Sequence, residues 1–152
     1  MEPKTLSPAS GRLYKEDFLA WTEETARLLR AGCLDYLDVE HLTEEIESMG
    51  RSEWHGLDSR LTVLLLHVLK WKHQPRRRSR SWESTILTQR LELRRLLRRS
   101  PMLRAGLEQA ISEVYPDAVK AARVETRLPA GVFPPRSPFT PEQVLDEDFL
   151  PG

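Results

Sequence analysis

Glu53, Arg60, His67 and Gln74 recur at intervals of seven residues. Seven residues advance an α-helix by about 700°, close to two turns, so the four share one helix face. That face also carries the core-type residues Met49, Val63, Leu64 and Trp71. Polar groups there must be paired or must line a wet cleft, because burying an unpaired charge is costly. Arg90 repeats the theme further along, between Ile86, Leu93 and Leu97, and Lys70, Glu45 and Gln89 extend the set. As a pocket, His67, Arg60 and Glu53 form a candidate catalytic set. An imidazole titrates near neutrality and guanidiniums stabilise negative charge. As pure structure, Glu53 would neutralise Arg60 or Arg90, and His67 would donate to a carbonyl.

Arg60-x6-His67 also fits the loose Arg-x4–6-His spacing of metal-independent ribonucleases of the HEPN superfamily, which are small helical bundles. That resemblance implies an Arg that binds phosphate and a His that activates or orients a 2′-hydroxyl. A second basic feature follows. Arg76, Arg77, Arg78 and Arg80 lie between Trp71 and Trp82, a phosphate-binding and base-stacking pattern. Arg76, Arg78, Arg80 and Trp82, with Lys70 and Arg90, are the candidate ligand-binding residues. The alternative is that both tryptophans pack on apolar stripes while the arginines are solvated or paired with acids.

Other chemistries find less support. His41-x-x-Glu44-Glu45 can place an imidazole and a carboxylate on one helix face, but it reads better as a solvated acidic helix with Ile46 and Met49 inward. There is no Glu-x-x-His pair, no His-Glu-x-x-His motif, no phosphate-cradling glycine loop and no Gly-x-Ser-x-Gly. No metal and no cofactor are expected. The only cysteine, Cys33, excludes an intramolecular disulfide and reads as a buried thiol at a helix end.

The 152 residues carry 23 Lys plus Arg and 23 Asp plus Glu, a formal charge of zero. The sum hides unequal parts. Glu16 to Asp58 holds twelve acids and three bases, Lys70 to Arg104 twelve bases and two acids, and Ala105 to Gly152 eight acids and four bases. Clustered basic charge can attract a polyanion, or acidic and basic helices can neutralise one another. No run approaches the ~18 apolar residues of a membrane span, since Thr62 and His67 interrupt Leu61 to Leu69. Met1 to Arg12 lack the apolar stretch of a signal peptide, which points to a cytoplasmic protein.

The elements that must position these residues read as helices. Lys15 to Ala31 puts Phe18, Trp21, Thr22, Thr25, Ala26 and Leu29 on one stripe, and Gly32 supplies a left-handed close. Asp38 caps a second helix that reaches about His73, where Pro75 ends it. As one rod this would span about 54 Å, so a break at Gly50 or Gly56 is expected. Leu61, Val63, Leu64, Leu65, Leu66, Val68 and Leu69 cover nearly every direction around its second part, which is expected to be central and buried. Gln74 to Ser81 reads as a basic loop, with Ser81 capping a third helix at Trp82. Ser100-Pro101 starts a fourth, which Pro116 should kink or restart. Six of the eleven prolines fall in the last 24 residues, an extended wrap. Within it, Leu145-Asp-Glu-Asp-Phe-Leu150 can dock Phe149 and Leu150 while its acids meet the arginines. The class is all-α, a small antiparallel helical bundle over 13–128, with a proline-rich segment, 129–152, packing on the same domain.

Leu42-Thr-Glu-Glu-Ile-Glu-Ser-Met-Gly50, Ser59-Arg-Leu-Thr-Val-Leu-Leu-Leu-His-Val-Leu-Lys-Trp71, Gln74-Pro75 and Arg78-Ser-Arg-Ser-Trp82 resemble the bacterial Domain of Unknown Function 29 family. Tyr14-x-x-Asp17-Phe18-x-x-Trp21 and Asp148-Phe149-Leu150-Pro151 fit the same pattern, so the resemblance spans about residues 13–151. It implies a bacterial, almost wholly helical protein of unassigned activity, and it brings no established catalytic residues. Residues and resemblance together lead to one expectation, binding of an anionic ligand, RNA or an acidic protein partner at an Arg/His-lined polar site. A toxin-like, metal-independent ribonuclease and a structural adaptor are the alternatives, with oligomeric state left open.

Overall fold

The helix expected over Lys15 to Ala31 is present as Phe18–Arg30, and another that the pattern did not announce precedes it. In the computed structural model, which describes residues 8–152, α1 runs Pro8–Glu16 and α2 runs Phe18–Arg30. Asp17 separates them: its carboxylate accepts from the Ala20 N–H and satisfies a donor that the first turn of α2 leaves unpaired. Gly32, at φ +70°, closes α2 in the left-handed conformation expected of it. Most of the N-terminal leader reading falls on residues 1–7, outside the described residues.

α3 runs Val39–His73 as one helix of 35 residues, without the expected break at Gly50 or Gly56. A glycine inside a helix costs only about 1 kcal/mol relative to alanine and removes no backbone hydrogen bond. Two of them do not interrupt a ladder that long. Asp38 begins the helix as expected, accepting from the His41 N–H at 3.3 Å. The chain nevertheless groups into two compact units, 1–52 and 53–152, and the segment from 129 onward lies in the second. In the first unit, Met49 and Ile46 are 69% and 60% exposed, not the inward residues that their stripe suggested.

The second unit is built around the apolar stretch of α3. Leu57, Leu61, Leu64, Leu65 and Leu69 are fully buried, with Ile86 and Leu93 from α4 and Ala118 and Ala122 from α6 in the same cluster. α4 runs Arg80–Arg99 and is capped by Ser79, whose hydroxyl accepts from the Trp82 N–H, rather than by Ser81. Pro75–Arg77 forms a short 3-10 turn before it. Ser100 caps α5, Pro101–Ala105, as read from Ser-Pro. The following break falls at Gly106 and not at Pro116, which stands inside α6, Leu107–Thr126. The Trp54 ring lies against Gly106, where an added Cβ would come within 2.7 Å of it. Pro116 deprives only the Ser112 carbonyl of its donor, at an exposed position that solvent can serve.

The proline-rich end contains one more helix, α7, Pro141–Leu145, started by a Thr140–Gln143 capping box. Phe133, Phe139 and Val144 are buried and Phe149 and Leu150 pack on the core. The described residues thus form seven α-helices and no strand, an all-α fold. Among them no helix is long and apolar enough to cross a membrane.

Candidate functional site

The row of polar residues on α3 meets a matching row on α4. Arg99 approaches Glu53 at 3.8 Å, Arg60 approaches Glu92 at 3.9 Å, and the Lys70 ammonium sits 4.4 Å over the Trp82 ring. A step of seven forward along α3 is matched by seven back along α4, so the two helices run antiparallel in a fixed register. Both ion pairs are long and part-exposed, and such pairs contribute at most about 1 kcal/mol each. They act as an edge ladder beside the leucine core.

His67 is the rung without an opposite charge. The register sets it across from Thr85, whose hydroxyl donates to the Ser81 carbonyl. His67 is half-buried, with Nδ1 2.8 Å from the Val63 carbonyl. A carbonyl oxygen can only accept, so Nδ1 is the donor of this bond and Nε2 is the nitrogen it leaves unused. Glu53, by contrast, is exposed at the end of the ladder.

The other candidates divide into engaged and open cations. Arg90 is 1% exposed and spends its guanidinium on three C-terminal carbonyls: Nε donates to Val144 at 2.9 Å, Nη1 to Phe149 at 2.7 Å and Nη2 to Gln143 at 3.2 Å. Burial pushes this guanidinium below its ordinary range, and Asp146 and Glu147 partly restore it. Arg78 donates to the Trp71 and Pro151 carbonyls and stacks 5.1 Å over the Trp71 ring. Buried Lys70 also donates to Glu125. Trp82 is half-buried beneath it. Gln89 keeps its Oε1 buried without a partner. Arg76, Arg77 and Arg80 are exposed.

Beyond Arg60, the last turns of α4 make a groove that the sequence reading did not single out. Arg60, Glu92, Arg95, Leu96, Arg98 and Arg99 line an open concavity of about 410 Å³. Arg95 bonds Glu92 at 3.0 Å and Arg99 reaches Glu53, while Arg98 has no carboxylate within reach among the described residues. Four guanidiniums thus face one lining carboxylate. Such a trough favours an anion with several charged oxygens. The i, i+3, i+4 spacing of Arg95, Arg98 and Arg99 was the available signal.

A model of the family described as Domain of unknown function DUF29 matches residues 13–150. The chain belongs to the DUF29 family. No curated protein and no solved structure matches it. The matched span of this DUF29 chain includes every candidate residue above, and the family description assigns none of them a role.

The DUF29 chain carries a second polar cluster, in its first unit. Asp38, 3% exposed, holds the His41 Nδ1 at 2.6 Å, and the Tyr14 ring stacks on the His41 ring at 4.0 Å between centroids. Tyr14 donates to Glu45, and that bond pushes its phenol up to about 12. Glu45, which joined the sequence-level constellation, is therefore engaged here. Asp-x-x-His at a helix start was the signal for this pair, and its geometry is that of an N-cap reinforced by the side chain at the third position. Among the described residues no group of His, Cys, Asp and Glu is placed to hold a metal ion.

Proposed function

We propose that this DUF29 protein binds the phosphates of a single RNA strand in the groove lined by Arg60, Arg95, Arg98 and Arg99. The observation that carries the reading is the imbalance in that concavity: four guanidiniums, one lining carboxylate, and Arg98 without a carboxylate partner among the described residues. An extended polyanion matches an open trough better than an enclosed small ligand does. Leu96 is the only apolar side chain among the lining residues, so bases find no stacking platform there and recognition is through the backbone. Arg90 and Arg78 serve this function indirectly, by holding the C-terminal segment on the bundle. The test is fluorescence anisotropy with a labelled single-stranded RNA of mixed sequence. Arg95→Gln/Arg98→Gln should weaken binding about tenfold or more while circular dichroism stays unchanged. Equal affinity in the double variant overturns the reading.

A ribonuclease is the second reading, favoured by the bond of His67 Nδ1 to the Val63 carbonyl, which leaves Nε2 as the ring nitrogen open to a substrate. Seven residues of helix rise separate the His67 and Arg60 backbones by about 10 Å along the same edge. An unprotonated Nε2 can take a proton from a 2′-hydroxyl while Arg60 holds phosphate. Incubation with total RNA in EDTA decides this. The reading requires cleavage by the native chain and its loss in folded His67→Ala, and cleavage that survives that substitution removes His67 from any catalytic role.

A further inference from the structure

We propose that the hollow between α3 and the start of α6 binds an aliphatic polyamine, with ammonium groups on Asp58 and Glu113 and methylenes against Trp54. Trp54, Asp58, Gly106, Gln109, Ala110 and Glu113 line an open concavity of about 360 Å³. All six belong to the second unit. Trp54 and Asp58 stand about one turn apart on α3. Gly106 precedes α6, and Gln109, Ala110 and Glu113 follow it at the three-and-four spacing of one helix face. Gly106 makes room for the indole: an added Cβ there would come 2.7 Å from Cη2 of Trp54 and 2.9 Å from Cζ3. That edge of the ring is held against α6, yet Trp54 remains 37% exposed, so indole surface is left for a ligand.

The lining selects the ligand. Two carboxylates border the hollow, and among the described residues no lysine, arginine or histidine lines it. The Thr62 hydroxyl donates to the Asp58 backbone carbonyl, while the Asp58 carboxylate has no ion pair or hydrogen bond among the described residues. Glu113 accepts from the Gln109 amide at 2.9 Å through one oxygen and keeps the other. Burial, then the Glu113 charge, pushes the Asp58 carboxyl above its ordinary range, and His55 partly offsets the rise. A cation seated between the two acids relieves both effects. Among the described residues no group of three His, Cys, Asp or Glu is placed to hold a metal ion, so a divalent cation finds too few ligands. A quaternary ammonium has no N–H for the carboxylates, and a single ammonium leaves one acid unmatched. A polyamine supplies a donor cation for each acid and methylenes for Trp54 and Ala110, and a cation near an indole gains further. The hollow shares no lining residue with the arginine groove and does not depend on the RNA reading.

The test is equilibrium dialysis of the full chain against radiolabelled putrescine, a four-carbon diamine, with butylamine as its singly charged counterpart. Putrescine should be retained at one site, and butylamine should bind about tenfold more weakly or worse. Asp58→Asn/Glu113→Gln should weaken putrescine binding about tenfold or more, and Trp54→Leu about threefold. Asp58 is half-buried and Glu113 exposed, and the amides keep the shape of the acids, so the double variant should keep its circular dichroism. An equal concentration of magnesium should leave most of the putrescine bound. No retained putrescine, equal affinity for butylamine, or unchanged affinity in the double variant overturns the proposal. So does displacement by magnesium, because the hollow then reads charge alone.

Discussion

Arg90 shows how a residue that looks catalytic in a sequence can instead hold a chain end in place. A guanidinium inside an apolar stripe needs acceptors, and the three it finds are backbone carbonyls of Gln143, Val144 and Phe149. Arg90→Met should leave those carbonyls buried without a donor and cost about 3 kcal/mol in urea denaturation. Amide exchange around residues 143–149 should speed up in the same variant, and unchanged exchange there would separate Arg90 from the C-terminal anchor. His73 makes a different prediction. Its ring packs edgewise on Phe133 at 5.0 Å, with Nε2 buried and unpartnered. Burial, then the Lys72 ammonium, pushes its pKa below the ordinary histidine value. The unfolded chain therefore takes up this proton first as pH falls. The stability that His73 preserves is intact above about pH 6.5 and is lost as pH drops through the lowered value. His73→Leu should flatten stability between pH 7 and 5, as followed by urea midpoints across that range.

At the scale of elements, caps and periodicity were legible and interruptions were not. Asp38, Gly32 and Ser100 act as their residue types predict, because a cap is a local event between a side chain and the next few backbone groups. Ser79 won over Ser81 for an equally local reason: it holds the extended backbone, φ −140° and ψ 160°, from which its hydroxyl reaches Trp82. Ser79→Ala should cost about 1 kcal/mol and Ser81→Ala much less, measured as urea midpoints of the two variants. The breaks went differently, since they depend on distant neighbours. Gly106 ends α5 where Trp54 packs against it, while Gly50 and Gly56 sit in a continuous helix. The heptad row on α3 was visible in the sequence. Its partner row on α4 was not, because register between two helices is a tertiary property. The arginine groove stayed hidden for the same reason, as Arg60 comes from α3 and the other three guanidiniums from α4.

Across the whole molecule, the zero net charge resolves by unit. Residues 1–52 carry six bases and eleven acids, or −5, and residues 53–152 carry seventeen bases and twelve acids, or +5. The basic unit contains the proposed phosphate groove. The central claim is phosphate contact by the groove arginines, and the salt dependence of RNA binding tests it most directly. Each phosphate contact to a single strand contributes a slope of about −0.7 in log affinity against log salt, so contacts from all four groove arginines give about −2.8. The account predicts a slope near that value for the native chain, shallower by about 1.4 in Arg95→Gln/Arg98→Gln. A slope near zero, or the same slope in both proteins, would contradict it.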